Sequence, residues 1–387
     1  GDMDLLVVSG GNEYPNDRSM YPVRLYLNDG SGNFSRSKDF PLIETSAKAI
    51  AIEDYNKDGF KDIFIGGRVF PGHYGLTPRS YLLQNYKGKF SVNIGGSVGM
   101  VSSAVWCDVD SDSWPDIVMV GEWMPLTIYK NNFGIINAGD PIKLQNSYGW
   151  WNTIAKADLD GDGDMDLIGG NNSVNTRYRG NEQYPVTMTV SDFDKNGSTD
   201  AIICQYQEGV SYPVPIRDNL LDQMNYLKKK FLRYRDYSNA KITDVFTAEQ
   251  LAEANTYTAN NLANTIFINQ GKGNFVQQFL PAKAQIFPIN CVLTDDYNGD
   301  GILDILAAGN DYATEIESGR NDAGIGLVLN GQTTGKFKPM PVTQTGFYVP
   351  GDVKCMRKIK INNKPCIIVG KNQDFLQVLR FNGPSAK

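Results

Sequence analysis

The chain has 387 residues, of which 41% are hydrophobic and 21% charged, and its formal net charge is −6. That apolar share is too high for a disordered chain, and no apolar run is long enough to span a membrane as a helix. A single histidine, His73, excludes a multi-histidine zinc centre and reads as an ordinary loop residue.

Taken in order, the chain repeats one phrase: Asp-x-Asp/Asn-x-Asp/Asn-Gly-x-x-Asp, then an apolar run and usually a glycine. Gly1-Asp2-Met3-Asp4 matches Gly163-Asp164-Met165-Asp166, so the chain opens inside a copy of the motif, with no leader in view. Full copies stand at Asp54, Asn56, Asp58 and Asp62, and at Asp108, Asp110, Asp112 and Asp116, where Ser113 replaces the glycine. They return at Asp158, Asp160, Asp162 and Asp166, at Asp192, Asp194, Asn196 and Asp200, and at Asp296, Asn298, Asp300 and Asp304. A last copy, near Arg357 to Pro365, has lost its carboxylates but keeps the apolar run from Cys366 to Val369.

A second phrase follows at a distance, as in Leu25 to Phe34 and Ile266 to Phe275, with a weaker form at Leu379 to Gly383. It reads as strand, glycine turn, strand. Each unit then holds four strands, with loop starts averaging roughly 60 residues apart, the size of a propeller blade. The expectation is an all-β, seven-bladed β-propeller over 1–387, with a first blade that lacks its inner strand.

The spacing from Asp192 to Asp296 is too long for one blade. Leu220, Met224, Leu227, Phe231 and Tyr234 recur at helical spacing, and Thr247 with Gln250 makes a capping box, so a helical insertion is expected over 217–264. Its cluster of Lys228, Lys229, Lys230, Arg233 and Arg235 reads as a solvated face rather than a nucleic-acid site. The five cysteines, Cys107, Cys204, Cys291, Cys355 and Cys366, are widely spaced and sit mostly in apolar runs, as buried thiols do.

Hard cations take six to eight oxygens, and alternating carboxylates with a glycine at the sharp turn supply them. An EF-hand also needs a glutamate at position twelve and flanking helices; here that position is Ile65 or Gly169, between strand-like runs. Ca²⁺ is therefore expected in β-flanked loops, at up to five sites. The ligand carboxylates outnumber the net charge of −6, so the rest of the chain is basic and an anionic partner is compatible with it.

These loops, with L-Y-L-N-D-G-x-G-x-F at Leu25, resemble the FG-GAP/VCBS repeat family, the propeller type seen in integrin α-subunits. Gly121-Glu-Trp-Met-Pro-Leu126, the Arg177-Tyr178 segment, Arg217-Asp-Asn-Leu-Leu-Asp-Gln-Met224 and Ser318-Gly-Arg-Asn-Asp-Ala323 are similar to a Bacteroidota group of secreted proteins with FG-GAP repeats and an ASPIC/UnbV segment. The resemblance implies an exported, outer-membrane-anchored polypeptide of which this chain is the C-terminal propeller. It implies no reaction.

Connectivity gathers the stretches after each repeat glycine on the face away from the acidic loops. They carry Arg68, Arg79, Arg177, Arg217 and Arg320, with Glu122, Trp123 and Tyr178 interleaved. These residues suit an acidic or hydroxyl-rich ligand, through arginine forks and aromatic platforms. The same arginines could instead pair with Asp17, Glu122, Asp218, Glu315 and Asp322 and pin the loops. Trp150 and Trp151 offer either a carbohydrate platform or core or rim packing. The leading reading is an extracellular or outer-membrane-surface binding module whose partner is a glycan or a cell-envelope protein. The alternative is a polysaccharide lyase or hydrolase, for which Glu122 and Glu315 are the one pair to test.

Overall fold

The computed structural model describes residues 2–15, 17–333 and 335–380. Six antiparallel sheets follow one another along the chain. The first holds Leu5–Val7, Arg24–Asn28 and Phe34–Arg36 and has no inner strand. The second holds Ser46–Glu53, Asp62–Val69, Ser80–Tyr86 and Lys89–Gly96. In the third, Met100–Cys107 pairs with Asp116–Met124, which pairs onward with Thr127–Tyr129. The fourth begins Thr153–Ala157, Asp166–Gly170, the fifth Ile289–Asp295, Asp304–Gly309, and the sixth Val353–Ile361, Lys364–Lys371.

The first strands of sheets two to six pack side by side in that order. Each neighbouring pair of sheets encloses an apolar layer, because strands buried on both faces carry apolar residues at consecutive positions. Ile43, Ile65 and Leu83 lie between sheets one and two; Val101, Trp106 and Met119 between two and three. Val118, Trp151 and Phe267 fill the space between three and four, Ile168, Ile305 and Leu329 that between four and five, and Val353, Met356 and Val369 that between five and six.

A seventh sheet does not join this series. Val186–Ser191, Asp200–Gln207, Val210–Pro213 and Asn255–Ala259 pair among themselves, while Asp166–Gly170 pairs directly with Thr265–Asn269. Everything between Gly170 and Thr265 is therefore inserted between two neighbouring strands of sheet four. This corrects the expectation of seven blades in sequence: the copy at Asp192 heads a sheet that lies outside the series. The interruption is also wider than 217–264, since that segment supplies only the helices and last strand of a larger insert.

The single long helix expected from Leu220 to Tyr234 is broken. A helix over Arg217–Gln223 ends at Met224, a 3-10 turn covers Asn225–Lys229, and a short helix follows at Tyr234–Tyr237. Leu220, Met224, Leu227 and Phe231 all bury against Phe193, Ile202 and Cys204, so the chain bends around that apolar surface, leaving Tyr234 exposed. The capping box at Thr247 and Gln250 forms as expected.

One contact recurs through the sheets. The ninth residue of each full acidic loop opens the second strand and is 0% exposed in Asp62, Asp116, Asp166 and Asp304, and the last three accept backbone N–H groups from two directions. Asp304 takes the N–H of Tyr297 in its own loop at 3.1 Å and that of Gly331 in the third strand at 2.9 Å. Asp116 does so with Val109 and Asn131, and Asp166 with Leu159 and Asn269. Asp4 accepts the Asn28 N–H at 2.9 Å, the same contact to the strand that follows. Where the carboxylates are lost, Asn362 and Asn363, at φ of 50° and 61°, close a two-residue hairpin instead.

Charge-assisted hydrogen bonds from a buried carboxylate are each worth about 1.5–3 kcal/mol. Replacing Asp304 by Ala is expected to cost about 3 kcal/mol in a urea unfolding measurement. A loss below about 1 kcal/mol would sink the assignment of this residue as a staple between loop and third strand.

Candidate functional site

The acidic loops form the first candidate. In three of them, Asp108, Asp110 and Asp116, then Asp158, Asp160 and Asp166, then Asp192, Asp194 and Asp200, one oxygen from each residue lies within 4.8 Å of the others. Oxygens held on one ion at about 2.4 Å lie no further apart than that, so each cluster could hold a metal ion. The first carboxylate also wraps the turn: Asp158 accepts the Gly163 N–H at 3.1 Å and Asp192 accepts that of Gly197 at 2.9 Å. The sixth residue is left-handed in every full copy, with φ of 91° at Gly59, 95° at Gly163, 89° at Gly197, 85° at Gly301 and 73° at Ser113.

Burial pushes the Asp62 and Asp166 carboxyls up to about 6, with the neighbouring carboxylates adding to the shift. Buried oxygens of Asp62 and Asp160 have no hydrogen-bond donor among the described residues. A cation is the counter-charge such a group lacks. The donor set of the loop at Asp158 therefore fits a hard divalent metal, and that at Asp192 fits too, with Gln223 donating to Asp200 at 2.6 Å. The loop at Asp108 is different, because the Lys130 ammonium bridges Asp110 and Asp116. In the loops at Asp54 and Asp296 the third residue is Asn56 or Asn298, whose amide donates to Asp58 at 3.1 Å or to Asp300 at 2.9 Å.

The second candidate is a cavity of about 710 Å³ at the other end of the strands. Six of the eight expected ligand-face residues line it: Arg68, Glu122, Trp123, Arg177, Tyr178 and Arg320. Arg79 is exposed outside it, and Arg217 lies among the helices, paired with Asp218 at 2.7 Å. The arginines do pin loops in part. Arg68 pairs with Glu122 at 2.8 Å, Glu122 accepts the Tyr74 hydroxyl at 2.7 Å, and Arg177 meets Glu315 at 3.3 Å. Arg320 stands over the Tyr312 ring at 4.8 Å.

Trp123, Trp150 and Tyr178 form a row of edge-to-face rings, with centroids 4.8 and 4.7 Å apart. Trp123 holds a φ of 58°, a conformation costly for a non-glycine residue and found mainly where surroundings enforce it. The two adjacent tryptophans separate: Trp150 lines the cavity, whereas Trp151 is fully buried against Phe267. His73 packs edge-on to Phe70, and the lysine cluster at Lys228 does not line the cavity.

Sequence reasoning missed the residues that point inward from the first strands. Each of those strands in sheets two, three, five and six carries a β-bulge, and the residues skipped in the pairing include Lys48, Ser102, Asn290 and Lys354. Bulges re-aim side chains beside functional sites. Lys48, Asn290 and Lys354 line the cavity, together with Asn152 at the start of sheet four. Asn290 donates to the Val353 carbonyl of the next sheet at 2.8 Å, and Lys354 pairs with Asp352 at 2.6 Å. The Lys48 tip opens onto the cavity, while the walls around it pull its ammonium down to about 8, with Glu122 opposing. No period in the sequence marks these positions, because a bulge is a feature of strand pairing.

The FG-GAP-like repeat family matches residues 1–65 and 80–169, so this part of the chain carries FG-GAP-like repeats. No curated protein matches it. Among solved structures it is similar to the V. cholerae biofilm matrix protein Bap1, at 12% identity and a TM-score of 0.36, covering 97% of this chain and 77% of that one. It is also similar to Saccharomyces cerevisiae Sqt1, at 9% identity and a TM-score of 0.40, covering 94% of this chain and 79% of that one. At such TM-scores neither likeness bears on how this chain works.

Ser113 is the one residue among the five sixth positions that pays a steric cost for its left-handed backbone. Ser113→Gly is expected to raise stability by about 1 kcal/mol in chemical denaturation. A neutral or negative change would show that the Ser113 side chain compensates.

Proposed function

We propose that the chain is a calcium-stabilised extracellular binding module whose cavity takes an acidic glycan, with a cell-envelope protein as the second class of partner. The observation that carries this reading is the cavity wall. It sets cations from separate sheets and loops, among them Lys48, Arg177 and Arg320, beside the ring row of Trp123, Trp150 and Tyr178. Lys48 and Arg320 have no ion-pair partner among the described residues, which leaves them available to carboxylates of a ligand. Aromatic edges and faces suit the apolar patches of sugar rings. The metal would be held by the loops at Asp158 and Asp192, with those at Asp54 and Asp296 as further sites. It supplies positive charge to carboxylates that burial has stranded.

The glycosidase or lyase alternative would use Glu122 and Glu315. Both oxygens of Glu122 are engaged, by Arg68 and by Tyr74, which suits an anchor better than a proton carrier. We also propose that the sheet series closes as a propeller ring, with the inserted sheet appended to its rim. The place outside the cell rests on the repeat family and on the resemblance to exported Bacteroidota proteins. No helix among the described residues is long and apolar enough to cross a membrane.

Thermal shift with hyaluronate as the acidic probe and dextran as the neutral one tests this reading, each with millimolar-scale calcium and with chelator. Calcium is expected to raise the melting temperature, and hyaluronate to raise it further. Arg177→Ala and Arg320→Ala should remove the second increment and leave the first. A calcium shift with no response to either polysaccharide would reject the glycan and turn the search to envelope proteins.

Lys48 adds a pH signature. Its ammonium is charged below about 8, so hyaluronate affinity should fall as pH rises through that value. Lys48→Met should bind more weakly at pH 7 and lose this dependence. Equal pH profiles for the two proteins would remove Lys48 from the binding surface.

A further inference from the structure

The strand register singles out one loop. In sheet three, Tyr129 pairs with Ile117, so the next residue, Lys130, stands opposite Asp116. The same step places Gln84 opposite Asp62, since Leu83 pairs with Ile63. It places Ile268 opposite Asp166, from Phe267 and Leu167, and Asn330 opposite Asp304, from Leu329 and Ile305. Of these four equivalent positions, only that in sheet three carries a cation. The Lys130 ammonium donates to Asp116 at 2.8 Å and also reaches Asp110, whose side chains are 0% and 24% exposed. Burial works against its charge, but the two carboxylates outweigh that and hold the lysine above its ordinary range.

We propose that Lys130 is a built-in substitute for the metal ion in the loop Asp108–Asp116, so that this loop binds no divalent cation while the loops at Asp158 and Asp192 do. An ammonium held by two carboxylates of the ligand set occupies the position an ion would need. It cannot share that position with Ca²⁺, because two cations a few ångströms apart repel strongly in a part-buried site. The strained Ser113 agrees with this: a loop that does not have to close on an ion has less need of glycine at its sharp turn. The sheet that carries Glu122 and Trp123 is thereby held at its acidic end whatever the calcium concentration. The proposal rests on the calcium reading for the other loops only.

Counting bound calcium on the whole chain, by equilibrium dialysis with metal analysis, tests it alongside melting in chelator. Asp110→Asn should leave the count unchanged, whereas Asp160→Asn should lower it by one. Lys130→Gln, which installs the residue of sheet two, should raise the count by one. It should also lower the melting temperature in chelator by about 5 °C, with excess calcium restoring it. A count that falls by one in Asp110→Asn would overturn the proposal, as would an unchanged count together with unchanged melting in Lys130→Gln. If the unsubstituted chain bound no calcium, the calcium reading would fall by itself. The lysine would then be judged on the chelator melt, where an undiminished melting temperature in Lys130→Gln overturns its role.

Discussion

The structure depends on a carboxylate that burial alone would not permit. In sheets three to five the ninth residue of the acidic loop sits inside the protein, where an isolated ion is costly, and it is kept there by backbone N–H groups from two segments at once. One donor comes from the loop, which fixes the turn; the other comes from the third strand, which fixes where that strand begins beside the second. A single side chain thus sets loop conformation and sheet register together. In sheets three and four the asparagine that gives this second N–H also extends the contact sideways through its side chain. Asn131 donates to the Tyr55 carbonyl at 2.8 Å and Asn269 to that of Val109 at 2.9 Å, each in the loop of the preceding sheet. Sheet is joined to sheet at the acidic end by the same device that orders each sheet internally.

Neutral N–H donors do not discharge a carboxylate, and the first, third and fifth residues add more negative charge around it. The chain meets that demand in different ways. The loop at Asp158 faces Ile268 across the register and has no protein cation among the described residues, and its carboxylates could hold a metal ion. The loop at Asp108 carries Lys130. The loop at Asp192, in the inserted sheet, has no third-strand N–H to its Asp200 among the described residues and takes an amide from Gln223 on the first helix. This contact ties the first helix to the inserted sheet, beside the apolar packing on Phe193, Ile202 and Cys204.

Much of the repeat was legible in the sequence because its determinants are local. An aspartate that wraps its own turn, a glycine at positive φ and an apolar strand beyond it lie within a dozen residues. The nesting was not legible. The motif at Asp192 is as good locally as that at Asp158, and what separates them is that Leu167 pairs with Phe267 across almost a hundred residues. No short-range pattern encodes that choice. Lys130 escaped for the same reason, since its partner is defined by cross-strand register rather than by spacing along the chain. The arginines of the open face were legible as a group, but the bulges that turn Lys48, Asn290 and Lys354 inward appear only once the strands are paired.

The two candidate sites lie at opposite ends of shared strands. Asp116–Met124 begins at the buried aspartate and carries Glu122 and Trp123 near its far end; Asp62–Val69 begins likewise and carries Arg68. A strand of eight or nine residues spans about 26–30 Å, so a displacement at the loop acts on the cavity wall through a paired, apolar-packed element rather than through a flexible tether. The Arg68–Glu122 pair lies between these two strands, and its 2.8 Å contact requires both to keep their register. If the loop of sheet two loosened while Lys130 held that of sheet three, the strain would fall on this pair.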